Sequence, residues 1–139
     1  HYQFRHDAHM ISLTPHMHLR GKSFRFRATY PDGRSEVLLS VPRFSFGWQS
    51  VYRLADPEAM PRGTRIDCLA LYDNSAKNPD NPDPKQTVVW GEQTYDEMMI
   101  GFIDFYRDRP VSRTPLTNRA RSGRGRHRRS KRFRRSRPR

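Results

Sequence analysis

The chain holds one cysteine, Cys68, so no internal disulfide can form and cysteine usage says nothing about the redox compartment. It has no run of about 18 apolar residues, so no helical membrane span is expected. A basic start followed by a short apolar stretch is also missing, so no signal peptide is read in this chain. No segment shows helical periodicity with capping residues, and no internal repeat is visible, which leaves helical bundles and solenoids without support. Acidic residues are absent from residues 110 to 139.

That last absence changes the meaning of the net charge. The 139 residues suffice for one domain with a real core, and the formal charge of +13 at first suggests a nucleic-acid partner. Thirteen of the 27 basic residues and none of the 14 acidic ones fall after Arg109, so residues 1–109 carry fourteen of each. The excess belongs to a tail rich in Arg, Ser, Gly and Pro, with almost nothing apolar beyond Val111, Leu116 and Phe133. Such a composition buries too little apolar surface to offset the entropy of ordering, so residues 110–139 are expected to be a disordered basic tail. The tail can neutralise phosphates in a non-specific, salt-dependent way, but its single aromatic, Phe133, provides no base-stacking platform. The same bias would follow from an out-of-frame reading of GC-rich DNA. Nucleic acid is therefore not the expected partner.

What is present reads as strands. Met10 to Leu13 is a short apolar segment interrupted by Pro15, leading into His16, Met17 and His18 on extended chain. Phe24, Phe26, Ala28 and Tyr30 alternate with Arg25, Arg27 and Thr29, the period-two pattern of a strand with one buried face. Pro31-Asp32-Gly33 supplies a turn and Val37 to Val41 the returning strand. Val51 to Leu54 and Thr64 to Tyr72 continue the series on either side of the turn signal Pro61-Arg62-Gly63. In the second of these, Ile66, Cys68, Ala70 and Tyr72 oppose Leu69 and Leu71, so both faces are expected to be partly buried. Asp73 to Pro84 is crowded with Pro and Asn and must be a loop. Val88 to Trp90 reads as a short strand, and Met98 to Tyr106 as a longer one, apolar on both faces and so expected at the centre of a sheet. Short strands between turn signals point to an all-β sandwich.

Residues two apart on a strand share a face, so His16 and His18 can offer two imidazoles to one metal. A lone pair of this kind is more often simply solvated. Met98 can join them if its strand packs beside theirs, yet methionine also fills core gaps. Two imidazoles and a thioether form a soft set suited to Cu(I), whereas zinc rarely accepts methionine. Spacing alone does not choose among these readings.

The run Pro15-His16-Met17-His18-Leu19-Arg20-Gly21-Lys22 resembles the His-x-His-x-x-Gly-Lys segment of the copper type II, ascorbate-dependent monooxygenases, the peptidylglycine- and dopamine-hydroxylating group. Asp96-Glu97-Met98, ahead of an apolar strand ending Phe105-Tyr106, is similar to that family's methionine motif, and the resemblance covers roughly residues 10 to 106. The wording around Trp48-Gln49, Asp73-Asn74-Ser75, Asn78-Pro79 and Trp90-Gly91-Glu92-Gln93-Thr94 resembles bacterial members more closely.

The resemblance implies a jelly-roll-like antiparallel β-sandwich over residues 1–109, the second half of a two-sandwich enzyme. It implies one copper ion held by His16, His18 and Met98, which are also the catalytic residues. The implied activity is activation of dioxygen and insertion of one oxygen atom into a substrate C–H bond, with electrons from an external donor such as ascorbate. A second copper is expected in a first sandwich that has no counterpart here, since His1, His6, His9 and His127 do not reproduce its motifs. The isolated chain is thus expected to bind copper and turn over poorly, in an extracytoplasmic setting. Thr14, Ile100 and Phe102 stand where better-known members hold a peptide carboxylate, so a small-molecule or peptide-like substrate without that carboxylate is implied. Met99 replaces the family's second cysteine, leaving Cys68 unpaired.

Two rivals remain. A non-catalytic copper-binding or purely structural sandwich would carry the same strands, with the tail free to bind polyanions. A copper clasped by the amine and imidazole of His1 would need a second histidine opposite, for which the spacing of His6 and His9 gives no support.

Overall fold

Alternating apolar residues underlie the strands, most plainly over Phe24, Phe26, Ala28 and Tyr30. The computed structural model describes residues 1–107. Among them the regular elements are all strands: β1 (Tyr2–Gln3), β2 (Ala8–Met17), β3 (Gly21–Thr29), β4 (Ser35–Val41), β5 (Tyr52–Met60), β6 (Arg65–Tyr72) and β7 (Met99–Tyr106). They form two antiparallel sheets, one ordered β1-β6-β3-β4 and the other β5-β2-β7. The chain changes sheet at every connection except the β3–β4 hairpin. The all-β sandwich is therefore the architecture. The expected tail at 110–139 lies outside the described residues, and no helix among those described is long and apolar enough to cross a membrane.

The core lies between the sheets. Met10, Leu13 and Met17 of β2 and Met60 of β5 face Phe24, Phe26 and Ala28 of β3 and Ile66 of β6, all buried. Gly101 of β7 marks the closest approach, because a Cβ there would stand 2.4 Å from the Cys68 Sγ and 2.7 Å from the Phe26 ring. The turns behave as their residues require: Gly33 and Gly63 adopt φ of 88° and 94°, a region open to glycine at no steric cost. Gly33 N–H donates to the Tyr30 carbonyl at 3.0 Å and Thr64 N–H to the Pro61 carbonyl at 3.0 Å, closing the two turns.

Several expectations are corrected. Strand β2 passes through Pro15 and ends at Met17, because its pairing with β5 stops at Leu13↔Tyr52 while pairing with β7 continues to Met17↔Met99. Beyond Leu13 the strand has a neighbour on one side only, a setting that tolerates a residue lacking N–H. Strand β7 is an edge strand, not a central one. Its second apolar face, with Ile100 and Phe102, is exposed. Leu69 and Leu71 of β6 are likewise more than half exposed, at 57% and 54%, because they point to the outer face of the larger sheet. Val88 to Trp90 is not a strand; Trp90 makes a single parallel bridge to Glu97. Strand β1, which pairs Tyr2 with Ile66, was not anticipated.

Candidate metal centre

Strand alternation places the histidines. Leu13, Pro15 and Met17 are buried on the core side of β2, while Thr14 and His16 face outward and are half-buried. His18 follows the strand on the same side as His16, and the Phe46 ring packs edge-on against it at 6.1 Å, leaving it only 4% exposed. The two imidazoles stand 5.3 Å apart between centroids and nearly perpendicular, at 89°. With metal–nitrogen bonds of about 2 Å, each bound ring centroid lies about 3 Å from the ion, so two rings at a near-tetrahedral angle have centroids about 5 Å apart. The observed spacing fits one shared ion.

Both rings are oriented through Nδ1. His16 Nδ1 lies 2.7 Å from Gln49 Oε1, and the Gln49 amide is itself oriented by donating from Nε2 to the Phe46 carbonyl at 2.9 Å. His18 Nδ1 lies 3.3 Å from the Asp96 carbonyl oxygen. A carbonyl oxygen can only accept, so Nδ1 carries the proton in both rings, and in the neutral imidazole Nε2 then keeps its lone pair. Metal-ligating histidines are characteristically held by such a bond from the other ring nitrogen.

Met98 arrives from the neighbouring strand. The β2–β7 ladder pairs His16 with Ile100 and Met17 with Met99; the next residues in that register are His18, just past β2, and Met98, just before β7. Residues opposed in an antiparallel pair have Cα atoms about 4.5–5.5 Å apart and project to the same side. The ladder itself ends at Met17↔Met99, so Met98 stands one residue beyond it at the end of the sheet where His18 also lies. The Tyr72 hydroxyl donates to the Met98 carbonyl at 3.0 Å and secures the backbone there. Burial, and then the Glu97 carboxylate, raise the Tyr72 phenol above its ordinary value, so it stays protonated as a donor.

The three residues expected beside the substrate share this outer face. Thr14 pairs with Phe102 and His16 with Ile100, and the Phe102 ring lies 6.5 Å from the His16 ring. Phe102 is 52% exposed, giving an open apolar surface next to the imidazoles. His9 is on the same strand but at its opposite end, stacked on Tyr106 at 5.0 Å. Spacing does not single out Gln49, whose part depends on a loop folding back over β2, nor the buried Arg20. Both lie within segments that carry the family resemblance, Arg20 in the run Pro15 to Lys22 and Gln49 in Trp48-Gln49, but nothing there assigns them a part.

No family model, curated protein or solved structure matches this chain.

Proposed function

We propose that this sandwich is the copper-binding, dioxygen-activating domain of a monooxygenase, with His16, His18 and Met98 as the ligands. The observation that carries the reading is that both Nδ1 atoms are committed to acceptors, which leaves Nε2 as the ligating position of each neutral ring, and the rings are spaced for one ion. Met98, at the adjoining end of β7, adds a thioether, and two imidazoles with a thioether favour Cu(I) over zinc. Copper there would supply one-electron redox chemistry and an open position for dioxygen.

The chain's own residues set the rest. Gln49 and the Asp96 carbonyl hold the imidazole protons on Nδ1, so loading needs no change of tautomer. Burial of His18 keeps bulk water from one side of the site. Phe102 and Ile100 offer apolar contact to a C–H substrate, and Thr14 beside them brings no charge to receive a carboxylate. The overall reaction consumes one dioxygen, two electrons and two protons, placing one oxygen atom in the substrate and releasing the other as water. An external reductant must provide the electrons, and a further copper domain is the proposed route for them.

Cuprous-ion titration in competition with a chromophoric chelator tests the ligand set. His16→Ala and His18→Ala are each expected to weaken binding by more than the 10- to 100-fold, roughly, typical of losing an outer-shell partner. Met98→Leu should remove the sulfur scatterer from the copper X-ray absorption spectrum while leaving the nitrogen shell. Equal cuprous affinity in the parent and the double histidine variant would refute the reading and leave a structural sandwich.

A further inference from the structure

Arg20 is fully buried and has no carboxylate partner among the described residues. Its Nε donates to Asn74 Oδ1 at 3.0 Å and Asn81 Oδ1 at 2.9 Å, and its Nη1 donates to the Tyr95 carbonyl. Nη2 finds no partner. A buried cation held by neutral acceptors and left partly unsatisfied is a poor way to gain stability, because desolvation opposes it. Its place in the interior is better explained by what it holds in position.

What it holds is the approach to Met98. Three consecutive carbonyls, those of Thr94, Tyr95 and Asp96, accept from three consecutive residues at the end of β2. Leu19 N–H donates to Thr94 at 3.4 Å, Arg20 Nη1 to Tyr95, and His18 Nδ1 to Asp96 at 3.3 Å. Residues 94–98 precede β7 and have no ladder of their own beyond the Trp90–Glu97 bridge, so that bridge, these bonds and the Tyr72 hydroxyl together define where Met98 begins. The arginine also draws in the Asn-rich loop: its carbonyl accepts from Asp73 N–H at 2.8 Å, and Asn81 Nδ2 bonds Asn74 Oδ1 at 3.0 Å.

We infer that Arg20 is a positioning residue for the metal centre, clamping the Tyr95 carbonyl between those that Leu19 and His18 engage, so that His18 keeps its Nδ1–H tautomer and Met98 meets the imidazoles. The inference rests on the reading of Met98 as a ligand, but its main readout needs no metal. Long-range proton–nitrogen spectra of the metal-free protein report the His18 tautomer: one Nδ1–H form is expected in the parent and a mixture in Arg20→Met. With Cu(I) bound, the sulfur shell should weaken in Arg20→Met and affinity fall about 10- to 100-fold, the range for an outer-shell partner. A purely structural arginine would lower the melting temperature and leave tautomer and sulfur shell as in the parent, which overturns the inference. If Arg20→Met does not fold, the Asn74→Ala, Asn81→Ala double variant removes both Nε acceptors from a loop, and a smaller shift in the same direction is expected; an unchanged tautomer there also overturns it. A parent protein that binds no copper sinks the metal reading alone, so the two failures are distinguishable.

Discussion

His16 and His18 owe their chemistry to single acceptor atoms, Gln49 Oε1 and the Asp96 carbonyl, that decide which ring nitrogen is available. A second residue-scale device is Asp73, which opens the Asn-rich loop. Hydrogen bonds from the Ser75 hydroxyl and backbone N–H, then from the Lys22 ammonium, lower its carboxyl to about 2 from an ordinary 3.8. A depressed carboxylate favours the fold only while ionised. Its contribution is therefore complete above about pH 4 and lost as the pH falls through about 2. Urea unfolding of the parent and Asp73→Asn should differ by a constant amount from pH 5 upward and converge near pH 2. A difference that persists unchanged at pH 2 would show that the carboxylate charge is not its source.

Elements carry these residues to one place. The β2–β7 register does most of this, since a shift of one residue would turn His16 and Thr14 into the core and Met17 outward. The turn after β2 is as specific. Gly21 N–H donates to the His18 carbonyl at 2.9 Å, and a Cβ at Gly21 would stand 2.9 Å from Met17 Cβ and 2.8 Å from the Phe44 ring. That crowding explains why glycine follows the second histidine by three residues. Gly21→Ala should cost about 1–3 kcal/mol, the usual range for overpacking. It should also lower cuprous affinity, because relief of the clash moves the chain beside His18. Thermal melts and the chelator competition check both, and an unchanged melt would show that Phe44 and Met17 simply yield. Of the strands around this turn, β3 was legible from alternation, whereas β2 was legible only as the apolar run Met10 to Leu13, and β1 is too short to show a period. The edge position of β7 was not legible, because an apolar outer face looks the same in sequence whether or not another layer covers it.

At the scale of the whole domain, the described residues form two sheets joined through a few large side chains. Phe26 of β3 is fully buried and reaches Gly101 of β7, spanning both layers. Phe26→Ala should destabilise the domain by about 3–5 kcal/mol and, by loosening β7 against the larger sheet, weaken copper binding with it. Equilibrium denaturation and the same titration measure the two effects. A loss of stability with copper affinity intact would show that the β2–β7 pair keeps its geometry without the inter-sheet contact.

Local chemistry written in the chain determined the strand class, the turns at Gly33 and Gly63, the shared face of His16 and His18, and the confinement of excess charge to residues after Arg109. These follow from alternation, backbone sterics and composition, which act over a few residues at a time. Only the tertiary structure decided that β7 lies beside β2 with Met98 at the histidine end, that Gln49 reaches His16, and that Arg20 closes over the Tyr95 carbonyl. Contacts between residues so far apart depend on which strands pair and how loops fold back, and no short-range pattern encodes that choice.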